Sequence, residues 1–210
     1  MIIKSFKLFE SSNDQEIHDI CDKYRIKNYS INEDGSIDVD GNVDLGDKNL
    51  SKLPIKFGKV GGFYCYNNKL TSLEGAPNHV DGNFNCKYNK LTSLDGSPGY
   101  VGGDFYCQYN QLTSLEGAPS HVGRDFYCSY NQLISLEGAP SYVGGDFYCV
   151  GNPIFEIYSL FNNKKCIDSI NEYDVIQGKN IVLSRLEEVY HELGMKVPNE
   201  FNFKYYKLID

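Results

Sequence analysis

Five cysteines, Cys65, Cys86, Cys107, Cys128 and Cys149, follow one another at intervals of 21 residues. Around each runs one phrase: Val, Gly-Gly, Phe-Tyr-Cys, Asn, Leu-Thr-Ser-Leu, Gly, Pro. A unit this short cannot bury its own apolar face, so successive copies must stack and cover one another. A regular period of this kind leaves few folds open. The chain is expected to be a mainly β repeat solenoid.

Within the copy Tyr100 to Pro119, Phe105-Tyr106-Cys107 reads in, out, in, as a short strand does. Val101, Phe105, Cys107, Leu112 and Leu115 are its expected inward residues. Asn110 sits at the following bend, where a side-chain amide can satisfy backbone groups that a turn frees. Its equivalents Asn68, Asn89, Asn131 and Asn152 extend that ladder. Gly117 and Pro119 turn the return path. Val43, Leu45, Asn49, Leu50, Leu53 and Val60 form an earlier, degenerate coil at an offset of 20.

The spacing Phe-x-Cys-x-x-Asn-x-Leu-x-x-Leu resembles the leucine-rich repeat, and its length is similar to the short bacterial class. In that class Leu-Pro-x-Leu-Pro makes an extended convex side, and Leu115-Glu116-Gly117-Ala118-Pro119 occupies that stretch here. Phe and Cys at core leucine positions, the Gly pair and the 21-residue unit depart from the pattern. The phrases Leu-Thr-Ser-Leu-Glu-Gly-Ala-Pro and Val-Gly-Gly-Asp-Phe-Tyr-Cys, with the flanks 31–41 and 184–187, resemble uncharacterised repeat proteins of large tailed phages and giant viruses. Leu8-Phe9-Glu10 is similar to the Leu/Ile-x-Glu cleavage site of a phage prohead protease. That resemblance implies a packaged protein trimmed after Glu10, as an alternative to an ordinary leading segment.

The organisation read from the pattern is a helix and hairpin cap over 1–36, the solenoid over 37–157 and a helical cap with a tail over 158–210. Asn13-Asp14-Gln15-Glu16 reads as a helix start with Ile17, Ile20, Cys21 and Tyr24 on one face. Tyr29–Ile31 and Ser36–Val39 flank a hairpin turn. At the other end, Asn180 is expected to cap a helix bearing Ile181, Leu186, Val189 and Leu193, stopped at Gly194. A weaker helix is expected over 164–173, and Phe201–Tyr206 alternates like a strand.

Composition narrows the chemistry. Residues 62–152 carry four basic and eight acidic side chains, a net −4 that repels phosphate backbones, so nucleic acid is not an expected partner. No apolar run approaches the roughly 18 residues of a membrane span, and the start lacks a secretory pattern. Seven cysteines without Cys-x-x-Cys spacing point to buried free thiols rather than a zinc site. The Asp-x-Asp-Gly at 38–41 lacks the rest of a calcium loop. No nucleophile elbow, metalloprotease helix or phosphate loop is present. His18 and His191 have no evident partner, and His79 and His121 share a column with Tyr100 and Tyr142. The expectation is therefore no enzyme, no cofactor and no metal, and the resemblance to phage repeat proteins implies a place in the host cytoplasm or the virion.

What remains is a surface. Tyr64, Asn85, Tyr106, Tyr127 and Tyr148 alternate with inward residues and so face outward, on the expected concave side. Tyr66 begins a second outward column, and Asp104, Asp125 and Asp146 edge the first. Tyr88, Tyr109 and Tyr130 make a further stripe. Rigid, amphipathic tyrosines suit protein contact as they do in paratopes, although stacked aromatics also stabilise adjacent strands. Both roles stay open. Glu74, Asp95, Glu116 and Glu137 form a separate acidic column, either solvated or awaiting a cationic partner.

Overall fold

A computed structural model describes residues 12–158, 160, 173, 175–177 and 179–210. Leu8, Glu10 and, apart from Tyr173, the helix expected over 164–173 lie outside the described residues.

The described residues begin with α1 (Ser12–Tyr24), whose Ile17 and Cys21 are buried. The helix includes Asn13, so the start lies at least one residue earlier than the capping pattern suggests. β1 (Tyr29–Ile31) then pairs antiparallel with β2 (Ile37–Asp44), giving the expected hairpin. β3 (Phe57–Tyr64) lies parallel to β2, with register shifts on either side of Val39 that match the degenerate first coil.

From β3 onward each coil contributes two short strands rather than the single one read from the sequence. One set is β4 (His79–Val80), β6 (Tyr100–Val101), β8 (His121–Val122) and β10 (Tyr142–Val143). The other is β5 (Phe84–Asn85), β7 (Phe105–Tyr106), β9 (Phe126–Tyr127) and β11 (Phe147–Tyr148). Each set stacks in parallel, in register, on the two ends of β3. The result is a parallel β-solenoid with 21-residue coils.

Burial explains the stacking. Val101, Phe105, Cys107, Leu112 and Leu115 are all fully buried, as are their equivalents one coil on either side. Phe63, Phe84, Phe105, Phe126 and Phe147 stack ring on ring at 5.1–5.6 Å. Each fully buried side chain of this size contributes about 1.5–3 kcal/mol, and none could do so without the next coil. The five cysteines are free thiols along this seam, and burial raises those of Cys86, Cys107 and Cys128 well above the usual range.

The asparagine ladder works through the backbone. Asn110 Nδ2 donates to the carbonyls of Cys86 and Cys107, both at 3.1 Å, while its Oδ1 accepts the Leu91 amide at 3.0 Å. Asn89, Asn131 and Asn152 repeat the pattern. Each amide thereby ties its own coil to the preceding one and satisfies buried groups that a bend would orphan.

Ile154 and Ile157, around α2 (Phe155–Tyr158), close the far end of the core. A small sheet follows, of β12 (Ile176–Gln177), β13 (Asn180–Val182) and β14 (Lys207–Ile209). Two expectations are corrected here. Asn180 is a strand residue rather than a helix cap, because Asn180 and Ile181 pair with Gln177 and Ile176 on one side and with Lys207 and Leu208 on the other. The tail strand lies at Lys207–Ile209, just beyond Phe201–Tyr206, where β13 offers a parallel edge. α3 (Leu183–Glu192) follows β13 directly and buries Leu186, Val189 and Tyr190. Gly194, at φ +65°, ends it as expected: its amide bonds His191 and that of Met195 bonds Tyr190, the paired closure that glycine permits. Tyr206 Oη donates to the Ile134 carbonyl at 2.8 Å, fastening the tail to the last regular coils.

Candidate functional site

The outward residues of the second strand set form a built surface. Tyr106, Tyr127 and Tyr148 stack at 4.7 and 4.6 Å with rings 5–7° from parallel. Parallel, in-register strands impose that geometry, because equivalent side chains repeat at the strand spacing. Asn85 takes its expected place in the column between Tyr64 and Tyr106, and its Oδ1 accepts the Lys87 amide at 3.2 Å. Tyr66 lies over Gly46 of the preceding coil, where a Cβ would overlap its ring. The Asp44 carboxylate, then burial and Asp47, push the Tyr66 hydroxyl up.

Asp104 and Asp125 are engaged on both oxygens. Tyr106 Oη donates to Asp104 Oδ2 at 3.0 Å, Tyr127 to Asp125 at 2.9 Å and Tyr148 to Asp146 at 3.2 Å. Meanwhile the Asp104 amide donates to Asn83 Oδ1, that of Asp125 to Asp104 Oδ1, and that of Asp146 to Asp125 Oδ1. Each carboxylate of Asp104 and Asp125 thus accepts from its own coil and from the next. Burial and the Asp104 carboxylate push the Tyr106 hydroxyl up to about 12, with Arg124 acting in the opposite direction. Tyr127 is raised as well, first by its bond to Asp125 and then by burial.

A second ladder alternates histidine and tyrosine. His79, Tyr100, His121 and Tyr142 stack at 4.6, 4.8 and 4.5 Å. Their shared column was legible; that it is a strand of its own was not. His79 also meets Asp81 at 3.0 Å, and Lys59 reaches the same carboxylate at 3.2 Å. His18, without an evident partner in the sequence, is paired through Nδ1 with the Tyr29 hydroxyl.

The third stripe has unusual backbone geometry. Tyr88, Tyr109 and Tyr130 stack at 4.4 and 4.6 Å and occupy the left-handed region at φ +55°, +58° and +55°. Asp47, Asn67 and Gly151 hold the equivalent place in flanking coils, also with positive φ. Asn, Asp and Gly adopt this conformation readily, whereas tyrosine carries a cost of about 1–2 kcal/mol each. Ring stacking returns about 0.5–1.5 kcal/mol per pair. The three rings stay 40–49% exposed, so the solenoid gains little from them. Sequence periodicity reveals the stripe but not its handedness.

Among the described residues no group of three or more His, Cys, Asp or Glu side chains could hold a metal ion, and no helix is long and apolar enough to cross a membrane. Glu74, Asp95, Glu116 and Glu137 are exposed, apart from the ladders. An open cavity of about 640 Å³ lies at the other end between the hairpin and β3, lined by Tyr29, Asp38, Asp40, Lys59 and Asp81 among others.

Fold and surface together define a parallel β-solenoid that displays parallel aromatic ladders. No family model, curated protein or solved structure matches the chain.

Proposed function

We propose that this chain is a non-enzymatic protein-binding solenoid that engages its partner through the Tyr106–Tyr127–Tyr148 face. The observation that carries this reading is the preorganised ladder: each ring is held by stacking and by a hydroxyl bond to an aspartate. Rings immobilised before contact lose little rotamer freedom on binding, which lowers the cost of association. The leucine-rich-repeat likeness supports a recognition role. The likeness to phage and giant-virus repeat proteins makes a host-cell protein the proposed partner, met in the host cytoplasm. Tyr64, Asn85 and Tyr66 would extend the contact area toward the first coil.

Affinity capture with the immobilised chain tests the reading. A Tyr106→Ala/Tyr127→Ala variant should lose a partner that wild type retains. The corresponding double Phe variant, which keeps the rings, should hold it more weakly. Unchanged capture by the folded double Ala variant would refute the assignment of this face.

A further inference from the structure

The position two residues after the first-set valine is glycine in three coils, Gly82, Gly103 and Gly145, but Arg124 in the coil between the last two. The column has little room for a side chain. A Cβ on Gly103 would overlap Asn83 Oδ1 and stand 2.8 Å from the Gly82 carbonyl carbon. One on Gly145 would overlap Asp125 Oδ1 and stand 3.0 Å from that of Arg124. The coil contacts at Arg124 are slightly longer than those beside it, within the ordinary hydrogen-bond range. The Asp125 amide lies 3.1 Å from Asp104 Oδ1, against 2.8 Å in the rungs on either side. The Arg124 amide lies 3.1 Å from the Gly103 carbonyl, against 2.9 Å for Gly103 and Gly145 to their own acceptors.

Nothing among the described residues engages the side chain that this column admits at Arg124. Arg124 is exposed and forms no ion pair or side-chain hydrogen bond among the described residues. Its carboxylate neighbours in the ladder are already occupied by tyrosine hydroxyls and backbone amides. The face therefore presents one guanidinium, with its donors free, beside stacked tyrosines. Arginine and tyrosine are the residues that most often anchor protein contacts.

Resting on the proposed protein-binding reading, we infer that Arg124 is the anchor of this face and pairs with a single carboxylate, an Asp or Glu side chain of the partner. The planar guanidinium matches a carboxylate bidentately. The net negative charge of the array selects against polyanions, so a lone carboxylate set among apolar and aromatic groups fits better than a phosphate cluster.

The test uses a displayed library of random peptides selected on the full chain. Arg124→Gly restores what the neighbouring coils carry, so it should fold with undiminished stability. Selected peptides should be enriched in Asp or Glu. A chosen peptide should bind Arg124→Gly at least about tenfold more weakly, and its Glu→Gln counterpart should bind wild type and Arg124→Gly alike. Arg124→Lys should recover only part of the loss. Peptides lost on Tyr106→Ala/Tyr127→Ala yet indifferent to Arg124→Gly would overturn the anchor while leaving the face assigned. Peptides indifferent to both, or no peptide selected at all, would overturn both.

Discussion

Asn110→Ala isolates what joins one coil to the next. The substitution strands the Leu91 amide, whose acceptor is Asn110 Oδ1 in a buried position. It also takes one donor from each of two carbonyls, although Cys86 keeps the Asn89 amide and Cys107 keeps that of Asn131. An orphaned buried donor costs about 1–3 kcal/mol, and each lost bond to a still-satisfied carbonyl about 0.5–1.5 kcal/mol. The expected loss is therefore roughly 2–6 kcal/mol, centred near 4. Urea unfolding followed by far-UV circular dichroism should show a midpoint lowered by about 1–2 M. Gln111→Ala, one residue on and exposed, serves as control and should stay within about 0.5 kcal/mol of wild type. An Asn110→Ala protein within about 1 kcal/mol of wild type would refute the ladder as a structural tie.

Three further outcomes follow from the packing. Gly123→Ala places a Cβ against the Gly102 carbonyl oxygen, inside contact distance, and should cost at least about 3 kcal/mol or prevent folding, read by the same unfolding curves. The raised Tyr106 hydroxyl makes stability pH-dependent on the alkaline side. Its neutral form is favoured in the folded state, so stability is intact below about pH 10 and declines as pH rises toward about 12. Urea midpoints across that window should fall less steeply in Tyr106→Phe; an equal fall would remove Tyr106 as a cause. Finally, Cys86, Cys107 and Cys128 should resist a thiol-specific disulfide reagent at about pH 8 until the chain unfolds, since burial disfavours their thiolates. Rapid labelling of the native protein would contradict the closed seam.

The inward column was legible because burial repeats with the coil. Val101, Phe105, Cys107, Leu112 and Leu115 recur at one spacing, and the copies one coil to either side are covered by the same neighbours, whereas Val143 and Phe147 in the last coil are only partly buried. The caps were less so, since their partners are not periodic. Asn180 looks like a helix cap until Gln177 and Lys207 are brought beside it. The valine strands were missed because a glycine within two residues of each valine interrupts the in–out pattern, and only the neighbouring coil gives them hydrogen bonds.

The surface divides in the same way. The 21-residue period by itself determined a stacked solenoid, its buried seam and the identity of the outward tyrosines and aspartates. Periodicity reports which side of the chain faces the core, because every coil faces the same energetic demand. Only the tertiary structure decided that Asp104 and Asp125 are already bonded on both oxygens, that Tyr88, Tyr109 and Tyr130 are left-handed, and that the glycine column interrupted by Arg124 has little room for a side chain. Those properties depend on distances between coils and on the sign of a backbone angle, and residues 21 positions apart acquire them only when stacked.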